Sequence, residues 1–126
     1  MHRSRLSTLL IDVPLEEVPA AVGFWSAALG VPAEPEPDEP QYTSLPGAVP
    51  GLVTAVQAVD DAPRYHLDIE TDDVAAETTR LLGLGAVQVA EWAGCQVLRV
   101  PGGQLVCVIP LHSDPAEFAA AARRWE

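Results

Sequence analysis

An α+β fold of two βαβββ modules followed by a C-terminal helix is what the sequence predicts, and three observations predict it. The text LLIDV followed by a helical stretch ending in AALGV returns half a chain later as HLDIE followed by a stretch ending in LGLGA. Runs of alternating apolar and polar residues lie between turn signals after each helix. Near the end, Asp114, Pro115 and Glu117 spell a helix start, with a capping side chain and a proline in the first turn.

Each element follows in order. Residues 6–13, LSTLLIDV, are apolar, β-branched and closed by a proline, which predicts a strand. Over residues 14–29, Val18, Val22, Trp25 and Leu29 share one helical face, Glu16 and Glu17 suit the positive N-terminus, and Gly30 stops the helix. Pro19 is tolerated only in a first turn, so the helix begins near Val18. The run AEPEPDEP at 33–40 is an exposed acidic loop with a weak strand near Pro32. Strands are expected at 41–45 and 52–59, separated by the turn text PGAVPG. The second module repeats the plan: a strand at 65–71, a helix at 72–82 with Val74, Thr78, Leu81 and Leu82 inward, and strands at 87–92, 96–100 and 104–109. Module one thus spans about 5–60, module two about 63–110 and the final helix 114–125, in a single domain of 126 residues.

Composition limits the chemistry. With 48% hydrophobic and 20% charged residues the chain is globular. The net charge of −11 and the scatter of seven arginines argue against nucleic acid as a partner. There is no lysine, which excludes Schiff-base chemistry and a Walker-type phosphate loop. Cys95 and Cys107 lack CxxC spacing and read as reduced, half-buried residues. The N-terminal apolar run is too short for an export signal or a membrane span, so a cytoplasmic protein with no membrane partner is expected.

GFWSAALG at 23–30, RYHLDIETDDVAAETTRLLGLGA at 64–86 and VPGGQLVCVI at 100–109 together resemble the glyoxalase-like branch of the vicinal oxygen chelate superfamily. The resemblance implies an open mixed sheet that curls around a cup, and a homodimer that covers exposed sheet edges. In metal-using members the ligands come from the first strand of each module and from the last strand. Carried over by position, they fall on Thr8, His66 and Leu105, with Gln57 as the one candidate in the strand at 52–59. That set is broken, because one imidazole and one amide neither neutralise nor surround a divalent ion. No metal and no cofactor is therefore expected.

Strand alternation puts His66, Asp68 and Glu70 on one face and Tyr65, Leu67 and Ile69 on the other, facing the helix; Thr8, Leu10 and Asp12 share the corresponding face of the first strand. The expected ligand-binding set is Thr8, Asp12, Gln57, His66, Asp68, Trp92 and Leu105, with His66 as the candidate acid or base. A structural reading stands beside it, in which a carboxylate merely holds His66 while Asp68 and Glu70 sit near a solvated rim. Trp25 reads as core, Arg64 and Arg99 as solvated edge residues or anion clamps. Three functions follow: a small-molecule-binding protein with a degenerate, metal-free site; a metal-independent lyase, isomerase or cyclase using His66; and, more weakly, a metal-dependent lyase or dioxygenase.

Overall fold

A computed structural model describes residues 1–126. It contains β1 (His2–Pro14), a short 3₁₀ turn (Leu15–Glu17), α1 (Val18–Leu29), β2 (Glu34–Pro35), β3 (Tyr42–Ser44), β4 (Val53–Val59) and β5 (Arg64–Thr71). Then come α2 (Val74–Gly83), β6 (Val87–Trp92), β7 (Cys95–Arg99), β8 (Leu105–Pro110), α3 (Pro115–Ala121) and β9 (Arg123–Trp125). Nine strands in mixed pairing and three helices make the α+β class that the repeat predicts. The chain divides into two compact units, Thr8–His66 and Met1–Ser7 with Leu67–Glu126.

In the unit Thr8–His66, the second half of β1 runs parallel to β4, with Thr8 opposite Val53 and Asp12 opposite Gln57. A parallel pair needs a crossover, and α1 supplies it. β3 pairs antiparallel with β4, and β2 with β3. One face of this sheet builds the core: Ile11, Val13, Leu45 and Val56 pack with Val18, Ala21, Val22 and Trp25 of α1. The helix starts at Val18 and ends where Gly30 adopts a left-handed φ of 69°, which glycine reaches without steric cost. Leu29, expected on the inner face, is exposed.

In the second unit, β5 runs parallel to β8, and β7 pairs antiparallel with both β8 and β6. Ala86, Leu98 and Val108 form the core with Val74 and Leu81 of α2. Asp73 caps α2 by accepting from the Ala76 N–H, and Asp114 caps α3 by accepting from Ala116 and Glu117.

The final helix is shorter than the 114–125 expected. It stops at Ala121, and Arg123–Trp125 forms β9, antiparallel to His2–Ser4 of β1. That partner also explains why β1 begins four residues earlier than its alternation suggests. The Trp125 indole N–H donates to Ser4 Oγ at 2.9 Å, and the Arg80 guanidinium lies 3.7 Å above its ring. These contacts and the β9 ladder outweigh the few tenths of a kcal/mol per residue that favour continuing an alanine-rich helix.

A buried carboxylate organises this unit. Glu77, on the inner side of α2, receives His2 Nε2 at 2.8 Å, Ser4 Oγ at 2.6 Å, and both Nε and Nη2 of Arg80 at 2.8 and 2.9 Å. Burial pushes the Glu77 carboxyl up, but the hydrogen bonds from Arg80, Ser4 and His2 outweigh it and hold it below its ordinary value of 4.5. Glu77→Ala should cost about 3 kcal/mol in urea denaturation at neutral pH, as breaking a buried ion pair does. Because the folded value lies below the unfolded one, this stabilisation is complete above 4.5 and lost as the pH falls through the folded value. The stability gap between wild type and Glu77→Gln should therefore close on acidification; a gap that ignores pH would contradict the assignment.

Candidate small-molecule site

The face of the Thr8–His66 unit opposite α1 carries the chemistry. Ile11, Val13 and Val56 turn toward α1, so alternation turns Asp12 and Gln57 away from it. The parallel register sets these two directly opposite each other, and the β3–β4 register adds Tyr42 opposite Gln57. Gln57 Nε2 donates to Tyr42 Oη at 3.3 Å.

Asp12 is fully buried, yet it is a charged group, and its environment must answer for that. His66 Nδ1 lies 2.7 Å from Asp12 Oδ2, and Arg64 Nε donates to the same oxygen at 3.2 Å. A carboxylate only accepts, so the imidazole donates from Nδ1 and keeps Nε2 as its basic nitrogen. Arg64 also binds Asp61 at 2.7 Å. Burial disfavours the Arg64 charge, but Asp61 and Asp12 outweigh it and raise its basicity above the ordinary value. The Asp61 carboxyl is held low by the Ala62 N–H and by Arg64.

Two oxygens in this group are buried without a hydrogen-bond partner: Asp12 Oδ1 and Gln57 Oε1. Each such atom costs roughly 1–3 kcal/mol. Their side chains stem from directly paired residues, on the face where the imidazole meets the carboxylate. Unpaired buried acceptors on a polar face are what a ligand's donors satisfy.

The expected residues divide. Asp12, Gln57 and His66 come together here, and Thr8 is buried on the same strand, on the Asp12 side by alternation. Asp68 is buried in the other unit, opposite Cys107 in the β5–β8 ladder. Leu105 is half-buried on β8, and Trp92 is exposed at the end of β6, a strand exposed along its whole length. Glu70 does not sit at a solvated rim. It is fully buried, with Ser113 Oγ at 2.5 Å, His112 Nε2 at 3.2 Å and Arg5 Nε at 3.6 Å. Leu67 and Ile69 fall beside Val106 and Val108 of the α2-facing ladder, whereas Tyr65 is exposed.

The sequence reading set Arg64 at a solvated edge or as an anion clamp and did not single out Tyr42. Arg64 and His66 are two apart on one strand and so share a face, a signal present in the spacing R-x-H; Tyr42 is placed only by register. His66 and Asp68 alternate on β5, and Cys107 is the β8 partner of Asp68. Neither cysteine forms a disulfide.

An α+β fold whose Thr8–His66 unit carries Asp12 and Gln57 on the face opposite α1 defines a class, and comparison with known proteins identifies it. The sequence matches the Glyoxalase-like domain family over residues 8–109, and the chain belongs to that family. No curated protein matches it in sequence. Among solved structures it is similar to methylmalonyl-CoA epimerase from Mycobacterium tuberculosis, at 19% identity and a TM-score of 0.53, covering 92% of this chain and 91% of the other. It is also similar to hypothetical protein BH1468 from Bacillus halodurans, at 12% identity and a TM-score of 0.59, covering 88% and 96%. A third is 2,2',3-trihydroxybiphenyl 1,2-dioxygenase from Sphingomonas wittichii, at 13% identity and a TM-score of 0.59, covering 93% of this chain and 45% of that one. At these identities the likeness shows the fold alone. No helix is long and apolar enough to cross a membrane.

Long-range proton–nitrogen NMR should find neutral His66 protonated at Nδ1 in the wild type and should lose that preference in Asp12→Ala. An Nε2-protonated ring in the wild type would contradict the pairing with Asp12.

Proposed function

We propose that this protein binds a small organic molecule at Asp12, Gln57 and His66, and does so without a metal ion. One observation carries the reading: two buried acceptor oxygens, Asp12 Oδ1 and Gln57 Oε1, lie on directly paired residues with no hydrogen-bond donor. The ligand that suits them presents two donors, such as hydroxyl or amide groups, a short distance apart. Arg64 supports the site through Asp12, because its guanidinium donates to that carboxylate at 3.2 Å and orients it.

The Asp12–His66 pair favours a second reading, metal-independent proton transfer in a lyase, isomerase or cyclase. An imidazole fixed by a carboxylate at Nδ1 presents Nε2 as a general base. A structural neighbour is a methylmalonyl-CoA epimerase in complex with methylmalonyl-CoA, which supports a role for this fold in holding organic acids and esters. A weaker, metal-dependent reading keeps His66 as the one metal-ligating side chain among the positions carried over from the family. A homodimer is proposed as the working assembly, since strand edges exposed in one chain are commonly covered by a second copy.

A thermal-shift screen of small metabolites tests the main reading. A true ligand at a hundred times its Kd should stabilise the fold by about 2.7 kcal/mol. Gln57→Ala and His66→Ala should abolish the shift while each costs about 1–2 kcal/mol of stability, the worth of one or two hydrogen bonds. A hit whose shift survives both substitutions would place the site elsewhere. Turnover of that hit, lost in His66→Ala, would select the enzymatic reading.

Purified without added ions, the protein should keep its melting temperature in a chelator, because a tightly bound ion stabilises by mass action. A drop of several degrees, with stoichiometric metal in the untreated sample, would establish the metal-dependent reading.

A further inference from the structure

Positive charge is gathered in one place. The chain carries −11 overall, yet five of its seven arginines, Arg3, Arg5, Arg80, Arg123 and Arg124, lie on β1, α2 and β9 of the unit Met1–Ser7 with Leu67–Glu126. Three of them, Arg5, Arg80 and Arg123, line a cavity of about 340 Å³ whose apolar walls include Leu6, Ile69 and Trp125. The one carboxylate lining it is Glu77.

The three guanidinium groups are held differently. Arg80 is fixed in place, paired through two nitrogens to Glu77 and stacked 3.7 Å above Trp125. Arg5 donates from Nη2 to Ser113 Oγ at 2.8 Å, but its buried Nε has no hydrogen-bond acceptor, the Glu70 oxygen being 3.6 Å away. Arg123 enters none of the ion pairs of the chain, although eighteen acidic residues are present to meet it. Glu77 is satisfied by His2, Ser4 and Arg80 together, so it adds little repulsion toward an incoming anion.

We infer that this cavity binds a small organic anion, a phosphate or carboxylate on a compact apolar or aromatic body. Arg123 and Arg5 meet the anionic group, since a guanidinium presents paired donors that match both oxyanions. The apolar body lies on Leu6, Ile69 and the exposed part of Trp125. A cavity near the lower limit of ligand-pocket volumes suits a ligand of this size and excludes a large cofactor. None of its lining residues belongs to the Asp12–His66 group, so the inference stands or falls apart from the proposed function.

Titration of the full chain with phenyl phosphate, benzoate and inorganic phosphate tests it, read at the Trp125 indole N–H by NMR. Phenyl phosphate or benzoate should shift that signal saturably, and the stronger of the two names the anionic group; inorganic phosphate should bind more weakly than phenyl phosphate, for want of the apolar contact. Arg123→Gln should weaken binding about tenfold, and added salt should weaken it further. Arg99→Gln, which removes the same charge elsewhere on the surface, should leave it unchanged. Equal weakening by both substitutions would reduce the effect to net charge and overturn the site, as would the absence of a saturable shift with either organic anion.

Discussion

The register of β1 on β4 is the constraint on which the candidate site depends. With Asp12 opposite Gln57, the apolar alternates Ile11, Val13 and Val56 are committed to α1, and the polar alternates have only the other face to occupy. A slip of one residue would send Asp12 into the helix-facing core and expose Ile11, reversing every side chain at once. The α1 interface therefore enforces the geometry of groups it never touches. Burial of Asp12 becomes tolerable because two donors of different kinds, an imidazole N–H and a permanently charged guanidinium, converge on one of its oxygens.

The other unit solves a similar problem with a different outcome. Glu77 is as deeply buried as Asp12, but both of its oxygens are occupied by donors from β1 and α2. A carboxylate satisfied on all sides is a structural tie, linking the N-terminal strand to α2 and, through Ser4 and Arg80, to Trp125. Asp12 and Gln57 each retain an unmet oxygen, which separates a binding group from a tie. Buried polar groups left incomplete side by side, as on the paired residues Asp12 and Gln57, are where function is sought.

The local elements were legible because they obey periodicities that sequence displays directly. Val18, Val22 and Trp25 at helical spacing located α1, Gly30 ended it, and β6 falls at the residues its alternation marks. What depends on partners distant in sequence was not legible. Nothing within residues 123–125 says that they will leave a helix and pair with His2–Ser4, because the reason lies in Ser4 and Arg80. In the same way nothing in the helical text around Glu77 marks it as a buried tie, because the reason lies in His2 and Ser4. Parity chose Asp12 and His66 correctly as neighbours on one face, but parity carries no depth, so Glu70 read as a rim residue when it is buried. Tyr42 is invisible to motif reasoning because only the β3 register brings it to Gln57.

The account turns on whether the unmet oxygens of Asp12 and Gln57 are the points a ligand takes up. A crystal structure of the protein with a stabilising metabolite tests this most directly. The account predicts ligand donors within hydrogen-bond distance of Asp12 Oδ1 and Gln57 Oε1, with His66 still paired to Asp12 Oδ2. A ligand bound elsewhere, with both oxygens as they are now, would contradict it.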